Sequence, residues 1–118
     1  MNLIFHITTY TEWEAAQGEG AYRPETFSLE GFIHCSTRDQ VISTAGRLFH
    51  GRPDLALLCI DADRLGHDVR YEDLEGSGRL FPHIYAALGF EAVVAVVDFP
   101  AGPDGSFSFP DLPPSLAP

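Results

Sequence analysis

The run Leu55-Ala56-Leu57-Leu58-Cys59-Ile60-Asp61 constrains this chain more than any other stretch. It is apolar without interruption, closed by Pro53-Asp54 before it and Asp61-Ala62-Asp63 after it. A run this short with no polar alternation reads as a buried strand rather than a helix. A second run, Phe90 to Phe99, is longer and rich in valine, and is expected to be the central strand of the sheet. The chain's 118 residues are enough for one core and too few for two. An apolar fraction of 45% with nine Phe fits a folded globule, not a disordered chain.

The other segments are read by period and punctuation. Asn2 to Thr8 alternates as a strand, with Leu3, Phe5 and Ile7 on one face and Ile4, His6 and Thr8 on the other. Thr11 to Glu14 matches a capping box, so a short helix is expected from there to Gly18 or Gly20. Tyr22 to Leu29 reads as extended or looped, because Pro24 biases its predecessor away from helix. Phe32 to Ser36 reads as a strand with Phe32, His34 and Ser36 on one face and Ile33 and Cys35 on the other. Thr37 to Gln40 is a second capping box. Val41, Ile42, Ala45, Leu48 and Phe49 then recur at helical spacing, and Gly51 ends the segment. Val69 to Asp73 is a short strand candidate, and Glu75 to Gly78 a turn. Pro82 suits the first position of a helical turn carrying His83 and Tyr85. An edge strand is expected around Ser106 to Phe109, within a Pro- and Gly-rich tail, 101–118, expected to be poorly ordered. Together these predict a single α+β domain over 1–118, with a mixed or split β-sheet and a few short helices packed on one side.

Charge narrows the partners. Seventeen acidic residues against seven Arg and no Lys give a net charge of −10. Such a surface repels phosphate backbones and anionic membranes, so nucleic acid is disfavoured as a partner, although a local Arg cluster could hold one small phosphate compound. No stretch approaches the roughly 20 apolar residues of a membrane span. The N-terminus lacks a basic start, and Cys35 and Cys59 sit in apolar runs as reduced thiols would. The expectation is a cytoplasmic protein.

Three of the five histidines, His6, His34 and His83, lie in ordered-looking apolar segments, whereas His50 and His67 fall at a helix end and in a loop. Spacing alone favours three separate structural histidines. If they converge, they could bind a metal, or donate and accept hydrogen bonds to a ribose or phosphate. Metal spacing of the His-x-His, HExxH or Cys-x-x-Cys kind is lacking. Cys35 and His34, adjacent on a strand, face opposite ways and make a poor nucleophile and base. Asp61 and Asp63 suit a turn cap better than a metal.

Ile4-Phe5-His6-Ile7, Glu30-Gly31-Phe32-Ile33-His34-Cys35-Ser36 and Phe81-Pro82-His83-Ile84-Tyr85, followed by the strand from Phe90-Glu91-Ala92, resemble the bacterial domain-of-unknown-function 952 family over nearly the whole chain to Pro100. Ala86-Ala87 departs from the Gly-Pro usual there. The resemblance implies an ADP-ribosyltransferase-like fold, with NAD as co-substrate. It implies that His6 holds a ribose, that His34 packs against nicotinamide, and that Ser36 and Thr37 open the following helix. Glu91 is the implied carboxylate supporting the reacting ribose. His83, Thr8, Arg38 and Tyr85 complete the expected nucleotide cleft, and no metal is expected. The alternatives are a non-catalytic small-ligand-binding module and a tri-histidine metal enzyme.

Overall fold

The computed structural model describes residues 1–116, and in them the β-structure is split into two three-stranded antiparallel sheets. The first has the order β1 (Leu3–Thr9), β3 (Leu55–Asp61), β6 (Val93–Asp98); the second has the order β2 (Ile33–His34), β5 (Phe81–Ile84), β4 (Val69–Glu72). Three short helices connect them, α1 (Tyr10–Gln17), α2 (Glu25–Glu30) and α3 (Val41–Leu48). Beside β2, Phe5 of the first sheet and Ser36 exchange backbone hydrogen bonds, each of 2.8 Å, which stitch the two sheets together.

The uninterrupted apolar run makes β3 the centre of the first sheet. Every residue of it is buried, because both faces are covered. On one face Ile4, Leu58 and Ile60 pack with Tyr22, Ile33 and Ile84, joining the two sheets in a common core. On the other, Phe5, Leu55, Leu57 and Cys59 pack with Val41 and Ala45 of α3, and with Phe99, Phe107 and Leu116 of the C-terminal segment.

Several expectations are corrected by this arrangement. The Val-rich run is not central: β6 lies at the sheet edge and Val96 is 40% exposed. A row of β-branched residues looks the same whether one face or both are covered, and here Phe90–Ala92 turns off as a 3-10 turn. Helices do not lie on one side, since α3 covers the face of the first sheet opposite Tyr22 and the second sheet. Helix α1 starts earlier than the Thr11 capping box. Thr9 is its N-cap, its hydroxyl accepting from the Glu12 N–H at 3.1 Å. The stretch after Pro24 is helical, not looped: Pro24 holds the extended N-cap geometry of α2, which Gly31 ends with φ of 82°. Only half of the second capping box forms. Gln40 reaches back to the Thr37 N–H, while the Thr37 hydroxyl turns to Asp39 instead.

Pro82 does not open a helical turn either. It sits in β5, the middle strand of the second sheet, paired with Tyr71, and its carbonyl accepts from Cys35 N–H. Proline is tolerated there because the chain asks its carbonyl, not an N–H, to bond. No strand forms at Ser106 to Phe109 among the described residues, and the tail to Leu116 is not loose: Phe107 and Leu116 are buried. The rest of the tail expectation, at 117 and 118, lies outside the described residues. Asp61 does cap a turn, accepting from Asp63 N–H at 3.1 Å.

Candidate functional site: a cleft lined by histidine and glutamate

A cleft of about 680 Å³ opens beside the seam between the sheets, and His6, His34 and His83 all line it. Three elements place them: β1 carries His6, β2 carries His34, and β5 carries His83 directly across from His34. The separate-histidine reading of the spacing is therefore wrong: strand pairing unites residues far apart in the chain.

The three rings are held differently. His6 is buried, and both its nitrogens are engaged inside the protein. Nδ1 lies 2.5 Å from the His34 carbonyl and Nε2 lies 2.7 Å from the Tyr22 hydroxyl. A carbonyl can only accept, so Nδ1 carries the proton. Burial lowers the His6 pKa from its ordinary value, which favours the neutral ring with Nε2 accepting from Tyr22. His6 thus ties β1 to β2 and to the core tyrosine. Thr8 and Glu12 extend that network, with the Tyr22 and Thr8 oxygens 2.9 Å apart and Glu12 Oε1 3.4 Å from each.

His34 and His83 each meet a glutamate. His34 Nε2 lies 2.7 Å from Glu30 Oε2 at the end of α2, and this pair is half-exposed. His83 Nδ1 lies 3.0 Å from Glu72 Oε1 of β4, and Glu72 also accepts from the Tyr85 hydroxyl at 2.6 Å. The two imidazoles meet edge to face with centroids 5.3 Å apart, and Phe32 lies flat on His83 at 4.4 Å. Donation from Tyr85, then from His83, holds the Glu72 carboxyl below the usual carboxylate range. A carboxylate at one imidazole nitrogen keeps the proton there and leaves the other nitrogen its lone pair. The arrangement can therefore accept and return protons.

Ser36 and Thr8 line the cleft. Tyr85 reaches it through Glu72. Thr37, Arg38 and Glu91 are not brought to it. Arg38 lies over Phe109 at 4.4 Å, on the far side of the first sheet. Glu91 is exposed on the turn before β6, where its backbone carbonyl accepts from Arg64. Sequence reasoning missed the carboxylates that do line the cleft, Glu12, Glu25, Glu30, Glu72 and Glu75, together with Arg47 and Arg52. Glu30 could have been found from its position four residues before His34. Glu72 had no such signal, because only the β4–β5 register brings it to His83. Burial pushes the Cys35 thiol well above its ordinary range, so it supplies no thiolate nucleophile at neutral pH. Among the described residues no three His, Cys, Asp or Glu side chains are grouped as a metal ion would need.

The fold and the cleft define a small α+β domain with two antiparallel sheets and, at their junction, a largely apolar pocket that carries the histidines and glutamates. The chain belongs to the family described as protein of unknown function (DUF952), whose model matches residues 7–96. It is similar to the X-ray crystal structure of protein CC0527 from Caulobacter crescentus, with 34% identity and a TM-score of 0.82, over 90% of this chain and 93% of that one. The solution NMR structure of CC0527 matches at 36% identity and a TM-score of 0.79, over 90% and 91%. No curated protein matches the sequence. Among the described residues no helix is long and apolar enough to cross a membrane.

Proposed function

We propose that the cleft binds a nicotinamide dinucleotide and that the protein transfers its ribosyl group, in the manner of an ADP-ribosyltransferase. The observation carrying this reading is the meeting of His34 and His83 in one cleft, each against a glutamate. Ribosyl transfer builds positive charge on the sugar, and carboxylates fixed nearby stabilise it. Glu30 and Glu72 take the part that the resemblance gives to Glu91, and the free nitrogen of His34 accepts from a ribose hydroxyl. His6 supports the site from beneath.

Titration of NAD against isotope-labelled protein, followed by histidine side-chain NMR, tests the binding step. The expected result is joint movement of His34 and His83 with little change at His6. His34→Ala is expected to weaken binding about tenfold or more, the scale of one lost charge-assisted hydrogen bond. Unmoved resonances at high NAD would sink the reading. A binding module without turnover is the second reading, favoured by the position of Glu91 outside the cleft; release of nicotinamide from bound NAD separates the two.

A further inference from the structure

His83 is clamped more tightly than its neighbour. Phe32 covers its ring at 4.4 Å with an interplanar angle of 8°. Nδ1 faces Glu72 Oε1 at 3.0 Å, and that same oxygen takes the Tyr85 hydroxyl at 2.6 Å. Arg70 in turn lies over the Tyr85 ring at 4.2 Å. Both face and tautomer are thereby set, with the Nδ1 proton held by a carboxylate. Nε2 makes no hydrogen bond among the described residues, yet no fully buried side-chain nitrogen or oxygen there lacks a partner. This lone-pair nitrogen therefore opens to the cleft that His83 lines, although His83 as a whole is only 4% exposed.

We propose that His83 Nε2 is the proton-accepting site for a hydroxyl-bearing acceptor, water or an alcohol, and that Glu72 is its positioning residue. The role in transfer rests on the nucleotide reading above. In that step the acceptor oxygen bonds to the anomeric carbon of the ribosyl group. The bond from that carbon to the nicotinamide nitrogen breaks, and its electron pair neutralises the pyridinium. The acceptor proton passes to Nε2 and then to solvent, while Glu72 steadies the transient imidazolium through Nδ1. An acceptor of this class has a proton to lose, which is what an imidazole base is suited to take.

The test uses the full chain as wild type, Glu72→Gln and Glu72→Asp. Long-range nitrogen–proton NMR reads the tautomer of each histidine, and diethyl pyrocarbonate with peptide mass spectrometry reads the reactivity of each ring. In the wild type, His83 is expected as the Nδ1–H tautomer. It should be carbethoxylated more slowly than the exposed His50 and His67, because its ring is largely covered, yet faster than His6, both of whose nitrogens are engaged. Glu72→Gln is expected to abolish the tautomer preference and cut the His83 rate several-fold, and Glu72→Asp to restore both in part. Continued protection of His6 in each variant reports that the fold is intact. A wild-type Nε2–H tautomer, a His83 as inert as His6, or a Glu72→Gln protein indistinguishable from wild type would each overturn the proposal. The expected tautomer and reactivity, with NAD leaving His34 and His83 unmoved, would uphold the proton-accepting nitrogen and remove ribosyl transfer as its reaction.

Discussion

Tyr22 is wholly buried, yet its hydroxyl joins His6, Thr8 and Glu12, so one phenol satisfies polar groups from β1 and α1. Tyr22→Phe leaves those groups short of a partner in the core. It is expected to lower the unfolding free energy by about 1–3 kcal/mol in urea denaturation. The same network makes stability depend on pH. Burial depresses the His6 pKa below 6.5 in the folded protein, so as pH falls the unfolded chain takes up the proton first. The contribution of the neutral ring is complete above about pH 6.5, and is lost as pH drops through that value toward the depressed folded one. Comparing urea midpoints near pH 7.5 and pH 5 in wild type and His6→Gln checks this. The variant should show the shallower fall; an equal fall in both would mean that other groups carry the acid sensitivity.

At the scale of elements, legibility followed locality. The first strand, α3 and the buried run of β3 could be read from period and punctuation, since each signal lies within its own residues. The shared face of Phe32 and His34, and the core face of Ile33 and Cys35, followed from simple alternation. What could not be read was partnership. Nothing in Phe90 to Phe99 says whether one neighbour or two will pair with it, and nothing in Pro82 says that a strand will ask only for its carbonyl. The cleft was half legible for the same reason: three histidines stood out as residue types, whereas Glu72 acquires meaning from a register. The swap of central and edge strands has a measurable counterpart. Leu57→Ala in β3 should cost about 2–5 kcal/mol by leaving a cavity between the sheet and α3. Val96→Ala on β6 should cost about 0.5 kcal/mol or less, as half-open surface positions do. Similar losses at both would contradict the strand order.

For the whole molecule, the C-terminal segment acts as the second cover of the first sheet. Phe107 and Leu116 are buried against Phe5, Leu55 and Leu57, and Phe109 meets Phe5 edge to face at 5.5 Å. Phe107→Ala is expected to lower the unfolding free energy by about 3 kcal/mol, and ending the chain after Ala101 to expose the sheet face to a hydrophobic dye. Neither change touches the cleft, so a stable protein lacking the tail and binding no dye would show that the cover is dispensable. The strand order carries one more consequence, in time rather than in energy. Leu3 must find Asp61, Ala56 must find Asp98, and Ile33 must find Ile84, so each sheet needs pairings between segments distant in the chain, even though β4 and β5 pair locally. Loops that long must close before their contacts reward them, which slows folding. Cys59 lies inside β3 and Cys35 directly follows β2, and in the finished protein burial keeps both thiols protonated, with Cys59 pushed up to about 11. A nascent chain has no such shelter. Oxidation of these two thiols should therefore fall on the chain while it is being made, and scarcely at all once it is in service.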